Sequence, residues 1–369
     1  MQARRFKKAR GLAKVSPVIL EDARRVVEDC GGILSEFAGG TVVITGAAGF
    51  LCSFVLDVLA AYNDEAPKGV NVLALDNFRT GLPERIAHLQ GQTGFEFFSH
   101  DVTKPFAGAQ RADWIVHGAS IASPTYYRRY PLETIDANVT GTRMMLDLAH
   151  RLTARGYLQL SSSEIYGDPD PAFVPTPEEY AGLVSCTGSR ACYDESKRLG
   201  ETLAVTYHQL YGVPTKTVRP FNVYGPGQSL KDARIIPDMM SAAVENRAIV
   251  LFSDGRATRA FCYAADFIAG MFHVLITGAP GEAYNVGNDE EVTIAEAAQT
   301  MVRVAASPQV RVEYRPSGDP NYLSDNPQRR CPDLRKLQAA TGWRAKTMLA
   351  EGLDRTLQSY RAENATLKV

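Results

Sequence analysis

Short β-branched and aliphatic runs alternate along this chain with longer stretches whose apolar positions recur every three or four residues. Thr41-Val-Val-Ile-Thr45 is the first such run, and Phe50 to Tyr62 follows it with helical spacing, so the two predict a strand, a turn and a helix. Val70 to Leu75 ends at Asp76, Phe95 to Ser99 ends near Asp101, and Trp114-Ile-Val-His117 ends at Gly118, which predicts three more strands. Thr134 to Leu152 reads as a long helix. Tyr157 to Leu160 is then a strand that stops in Ser161-Ser162-Ser163, Ser189 to Tyr211 is a second long helix, and Pro214 to Val218 is a sixth strand. Strands alternating with helices predict an α/β fold, a doubly wound parallel sheet of the Rossmann type covered on both faces. Beyond Arg219-Pro220-Phe221-Asn222 the alternation loosens and Pro and Gly cluster around 225–227, 316–320 and 326–332, as expected of a smaller C-terminal lobe.

Phe37 to Leu56 is twenty residues without a charge, about the length that spans a bilayer. It contains four glycines together with Thr41, Thr45 and Ser53, and Gly46 and Gly49 at its middle suit a tight turn better than a lipid-facing helix. No membrane partner is expected. Forty Lys and Arg against 41 Asp and Glu leave a formal charge of −1, which provides no broad cationic surface for nucleic acid. The exception is Met1 to Lys14, with six basic residues and no acid. No apolar stretch follows it, so it reads as a solvated tail leading into a helix at Pro17 to Cys30. Six cysteines without a Cys-x-x-Cys pair, and six histidines without His-x-x-x-His, signal neither a disulfide framework nor a metal site. A reducing, cytoplasmic setting is expected.

The chemistry begins at Thr45-Gly46-Ala47-Ala48-Gly49-Phe50-Leu51, a glycine pattern between a predicted strand and a predicted helix. Glycines there let backbone approach a pyrophosphate, whose charge is favoured by the N–H groups and dipole of a helix start. Asp76, at the end of the second strand, is placed to accept hydrogen bonds from an adenosine ribose and to repel a 2′-phosphate, favouring NAD over NADP. Arg79 is the nearby cation that could oppose this preference. Tyr193-Asp-Glu-Ser-Lys197 lies on the second long helix, with Ser162 ending the strand before it. Tyr193 and Lys197 are four apart and share a helix face, where an ammonium stabilises a phenolate and brings the tyrosine within reach of base catalysis.

These motifs resemble the extended short-chain dehydrogenase/reductases of the NAD-dependent sugar epimerase/dehydratase group, from about Thr41 to the C-terminus. Within that group the chain is most similar to the UDP-glucuronate decarboxylases, or UDP-xylose synthases. The likeness is carried by Ser161-Ser-Ser-Glu-Ile-Tyr-Gly-Asp168, Arg190-Ala-Cys-Tyr193-Asp-Glu-Ser-Lys197-Arg198, Thr258-Arg-Ala-Phe-Cys-Tyr263 and Asp325-Asn-Pro-Gln-Arg-Arg-Cys-Pro-Asp333. Cys52 departs from the group's usual third glycine, and the first forty residues lie outside its common pattern.

The resemblance implies an N-terminal extension at 1–40, an NAD-binding Rossmann domain with the catalytic residues at 41–222, and a nucleotide-sugar lobe at 223–369, some of whose segments return to the first domain. It implies that Gly46, Gly49, Phe50, Leu51, Asp76, Asn77, Asp101 and Val102 bind NAD together with Tyr193 and Lys197. Ser162 resembles the hydroxyl residue that binds the sugar 4-hydroxyl, Tyr193 its general base, and Asn138 a structural residue of the active-site helix. Tyr127 and Ser163 resemble substrate-loop and sugar contacts, Asn222 and Arg330 diphosphate contacts, Arg234 a contact at the nucleotide end, and Arg259 a catalytic arginine beside C5 and C6. Ser163-Glu164 stands where a 4,6-dehydratase generally has Asp-Glu and where a simple 4-epimerase generally lacks the Glu. Glu164 therefore points to decarboxylation of UDP-glucuronate through a 4-keto intermediate. The alternatives are a 4,6-dehydratase, a uronate 4-epimerase or, in another class, a non-catalytic NAD-binding scaffold. A homodimer is implied, paired through the two long helices, with Met144, Leu148, Leu203 and Val205 in its core.

Overall fold

The computed structural model describes residues 4, 5, 15–232, 234–317 and 327–367. Its centre is a sheet of seven parallel strands: β1 (Thr41–Thr45), β2 (Asn71–Asp76), β3 (Phe95–Ser99), β4 (Trp114–His117), β5 (Gly156–Leu160), β6 (Thr215–Pro220) and β7 (Ala283–Val286). They lie in the order β3-β2-β1-β4-β5-β6-β7. Every residue of β1 and of β5 is buried, as apolar runs must be when both faces of a parallel sheet are covered. The strand order reverses between β1 and β4, which opens a crevice beyond their carboxyl ends, the place where such sheets bind ligands. β7 comes from beyond residue 222 and pairs with β6, tying the later part of the chain to the first sheet.

Helices packed around the sheet or on one another include α1 (Pro17–Cys30), α2 (Phe50–Glu65), α3 (Thr142–Arg151), α4 (Ala191–Tyr211), α5 (Ala264–Thr277) and α6 (Leu349–Leu367). The helix expected at 17–30 is present, with a proline in its first turn, and it buries Ile19, Ala23, Val26 and Cys30 against α2, α5 and α6. Asp22 is buried on its inner face, where it accepts hydrogen bonds from Tyr263 and from Arg355 Nε at 2.9 Å. Arg4–Arg5, expected in a solvated tail, pairs antiparallel with Phe98 and Ser99 at the sheet edge; the other basic residues of Met1 to Lys14 lie outside the described residues, as do Asp325 and Asn326 of the C-terminal motif.

The helix expected over 134–152 is not continuous. Pro131–Asp136 is α-helical, Ala137–Gly141 forms a π-turn, and α3 follows. π-turns concentrate at functional sites, and this one carries Asn138. Leu148, expected in a subunit interface, is instead buried in the chain's own core, and Met144 and Leu203 pack against the same cluster. Among the described residues no helix is long and apolar enough to cross a membrane, and Phe37 to Leu56 is resolved into the end of a 3-10 turn, β1 and the start of α2.

Cys52 in the first turns of α2 has a physical counterpart. A Cβ placed on Gly118, just beyond β4, would stand 2.3 Å from Cys52 Sγ, so the missing side chain at 118 makes room for the thiol. The close helix-to-strand approach that a third glycine normally allows is kept by a glycine on the opposite wall. Gly118→Ala should therefore cost about 1–3 kcal/mol through overpacking. Adding Cys52→Gly should recover part of it, with a coupling above about 0.5 kcal/mol in a denaturation cycle. Strict additivity of the two changes would remove this account.

Candidate active site

The crevice beyond β1 and β4 begins at Gly46, whose φ of 69° places it in the left-handed region. A Cβ there would lie 2.9 Å from the backbone of Gly118 and Ala119, so only glycine lets the turn pass this close to the neighbouring strand end. Gly49 caps α2, and its amide donates to the Gly46 carbonyl at 2.9 Å, leaving Phe50 and Leu51 in the first helical turn. Asp76, at the end of β2, is buried and accepts from the amides of Ala48 at 2.9 Å and Phe78 at 2.6 Å. Burial nevertheless moves its carboxyl up from the usual value. The one carboxylate thus holds the glycine turn against the β2 end. Arg79 is turned away, bonded to Glu133 at 3.0 Å and lying over Tyr130.

Asn77 and Asp101 are exposed at the same rim, and each accepts from the amide two residues later. Val102 is buried, and a Cβ on Gly141 of the π-turn would lie 2.7 Å from it. A glycine turn at a helix start, a ribose-height carboxylate and a buried lysine suit a dinucleotide, and these residues would hold NAD. Beneath them His117 meets Thr45 Oγ1 at 2.7 Å; burial, then the charge of Lys197, pushes its pKa down to about 3.

Ser162 lies two residues beyond β5, and its oxygen accepts from the Glu164 amide at 3.2 Å, which starts the short turn Ser163–Tyr166. The Ser162 hydroxyl also acts on the phenol of Tyr193, in the first turn of α4, and favours its ionisation. Tyr193 is buried and stacks on Tyr127 with ring centroids 5.1 Å apart. Burial holds its phenol above the usual value, while Ser162 and the charge of Arg234 act in the opposite direction. Lys197 Nζ lies 5.7 Å from the Tyr193 ring centroid and donates to the Leu160 carbonyl at 2.8 Å. Burial brings its pKa down to about 8, so the ammonium persists at neutral pH. Asn138 Nδ2 donates to Ser196 Oγ at 2.8 Å, and Ser196 sits between Tyr193 and Lys197 in sequence, so the π-turn braces their helix from behind.

Glu164, the residue that points to decarboxylation, lies in a cage of guanidinium groups. Arg330 grips both its oxygens, at 2.5 and 2.7 Å, and Arg190 bonds Oε2 as well. Burial opposes its ionisation, but the charges of Arg330 and then Arg190 win and hold its pKa down to about 2. Arg330 was expected at a diphosphate, and in this structure its fork is on Glu164. Arg259 is aligned with Arg330 in a small sheet formed by Thr258–Ala260, Arg329–Arg330 and Glu291–Thr293. It is buried and donates to the Thr258 carbonyl at 2.6 Å; burial, then Arg330, brings its pKa down to about 10. Ser163 is buried in the turn. Asn222, at φ 42°, donates to the Ala260 carbonyl at 3.2 Å, and Arg234 is held by Asp232. Arg190 is the member that motif reading passed over; its position three residues before Tyr193, on the same helix start, was the available signal.

The chain is similar to known proteins over most of its length. The family model described as NAD dependent epimerase/dehydratase family matches residues 42–287. UDP-glucuronic acid decarboxylase 1 of Arabidopsis thaliana is 38% identical over 320 residues, which is 87% of this chain and 69% of that protein. UDP-glucuronic acid decarboxylase 1 of Danio rerio is 37% identical over 330 residues, 89% of this chain and 75% of that protein. The structure of a dTDP-glucose 4,6-dehydratase from Streptomyces venezuelae with NAD bound superposes with a TM-score of 0.75 at 25% identity, covering 88% of this chain and 98% of that one. A UDP-glucose 4-epimerase from Thermotoga maritima shares the fold, with a TM-score of 0.76 at 22% identity over 87% of this chain and 99% of that one.

Proposed function

Given that the chain belongs to the NAD dependent epimerase/dehydratase family, we propose that it decarboxylates UDP-glucuronate to UDP-xylose through a 4-keto intermediate. The observation that carries this reading is the placing of Glu164 and its arginines beside the Ser162–Tyr193 pair, with Ser163 where a dehydratase would need an acid. Ser162 orients the sugar 4-hydroxyl, and Tyr193 takes its proton as phenolate, with the Lys197 charge stabilising that form. Bound NAD supplies the acceptor for the C4 hydride and its later return. Oxidation at C4 leaves the C6 carboxylate β to a carbonyl. The C5–C6 bond then breaks, its electron pair enters the C4–C5 enolate, carbon dioxide leaves, and a proton is delivered to C5. Buried guanidiniums at this end of the sugar hold the carboxylate in register while the bond breaks.

Incubation with UDP-glucuronate followed by mass analysis tests the reading. Loss of the mass of carbon dioxide is expected. Loss of the mass of water means dehydration, and an isomer of unchanged mass means epimerisation; either result overturns the decarboxylase reading.

Asp76 stands where a 2′-phosphate would bring its charge, and Arg79 is committed to Glu133. NAD should therefore bind at least about tenfold more tightly than NADP in direct titration. Comparable affinities would show that another cation overrides Asp76. The same reading carries a cytoplasmic homodimer paired through α4. An open groove of about 1020 Å³ runs along the outer side of this helix and is lined in part by Ile135, Val139, Leu199 and Val205, with Leu199 45% exposed. Light scattering at micromolar concentration should report a two-chain particle, and a monomer would return these side chains to the surface of one chain.

A further inference from the structure

Three guanidinium groups, from Arg190, Arg259 and Arg330, act on the single carboxylate of Glu164. They come from three separate parts of the chain: the start of α4 and two neighbouring strands of the small sheet. The side chains of Arg190 and Arg330 are only 14% and 9% exposed. Burying guanidiniums together is unfavourable unless an anion joins them, and Glu164 is the anion that does so here. A carboxylate held among guanidiniums beside Tyr193 shows the kind of group these side chains can hold. In a hexuronate the carboxylate carbon lies two bonds from C4, whose hydroxyl must reach Tyr193. Whatever reads that carboxylate must therefore stand next to Tyr193.

Arg190 meets this requirement. It lies one helical turn before Tyr193, and both the Tyr193 and Tyr127 phenols act on its guanidinium. Arg330 forks onto both oxygens of Glu164, whereas Arg190 reaches Oε2 alone and makes a looser contact, Nε to Asp194 at 3.6 Å. Two buried polar atoms at the cage also lack a partner among the described residues: Tyr127 Oη and Arg330 Nε. Buried polar groups left unpaired are costly, and two of them on residues that act with Arg190 and Glu164 are what a polar ligand would satisfy.

We infer that Arg190 reads the carboxylate of the hexuronate, and that Glu164 stands in for this carboxylate in the free enzyme until substrate displaces it from Arg190. The inference rests on the decarboxylase reading for the identity of the ligand, and it names both the specificity-determining residue and the internal competitor at the site. Displacement has a chemical consequence. Once Arg190 is taken by substrate, Glu164 loses one of the two cations that hold it most firmly ionised, so the arrival of the correct substrate moves it toward the proton chemistry required at C5.

The test reads binding, with turnover blocked by Tyr193→Phe in every variant, NAD present throughout, and UDP-glucuronate compared with UDP-glucose, which lacks the carboxylate. Arg190→Gln should weaken UDP-glucuronate at least about tenfold while leaving UDP-glucose within about twofold. Arg190→Lys, which keeps the charge but loses the fork, should recover part of the loss. Glu164→Gln should tighten UDP-glucuronate several-fold, and this gain should vanish when Arg190→Gln is also present. Equal losses for both ligands would make Arg190 a structural residue and overturn the inference. An undiminished Glu164→Gln gain in the absence of Arg190 would overturn it as well. Failure of the decarboxylase reading shows separately, as wild-type enzyme that binds UDP-glucuronate and releases no carbon dioxide.

Discussion

Tyr193→Phe is expected to lower turnover by on the order of 10³-fold or more while NAD and nucleotide-sugar affinities stay within a few-fold. The substitution removes one oxygen from a ring that is buried and stacked on Tyr127, so the packing that shapes the pocket survives. It takes away the phenol oxygen on which Ser162 acts and beside whose ring the Lys197 ammonium lies. Burial holds the free phenol above its usual value, so forming the phenolate that takes the proton needs a cation beside it. Proton removal depends on Lys197, which stays cationic below about pH 8. Lys197→Met should consequently approach the same loss in turnover, again without loss of fold. Single-turnover kinetics and equilibrium titration separate the two effects. A parallel loss of binding and rate in Tyr193→Phe would mean that the phenol only holds the substrate.

Much of this was legible because it is local. β1, β3 and β4 run between the residues that the apolar pattern marks, and the glycine turn, Ser162 and the Tyr193–Lys197 pair all depend on neighbours in sequence. What could not be read is set by contacts between distant segments. Arg330 meets Glu164 across 166 positions, and nothing near either residue signals the partner. Gly118 reads as an ordinary strand-end glycine until Cys52 is seen against it. The π-turn at 137–141 is invisible to periodicity, because one additional residue in a turn leaves the apolar spacing on both sides unchanged. The resemblance pairs the helix of Leu148 across a dimer and its apolar stripe picks out the residue, but apolarity does not say whether the covering surface belongs to the same chain.

Glu164→Gln should separate oxidation from the later steps. The amide keeps the size of the side chain and its place after Ser162, so substrate should bind and oxidation at C4 should proceed. Carbon dioxide release or protonation at C5 should slow by about 10²-fold or more, and the absorbance of reduced cofactor should accumulate on the enzyme. The substitution also has a stability signature with a definite sign. A carboxyl held down at about 2 from a usual 4.5 contributes stability that is fully present above pH 4.5 and lost as the pH falls through 2. The variant should lack this acid-side dependence and should be less stable at neutral pH, because Arg330 and Arg190 keep their charge in a site that has lost its central anion. Denaturation across that pH range, run beside stopped-flow absorbance, measures both. If the variant turned over at the wild-type rate with no absorbance build-up, Glu164 would be an anchor for the arginines alone, and the strongest distinction between decarboxylation and epimerisation would be withdrawn.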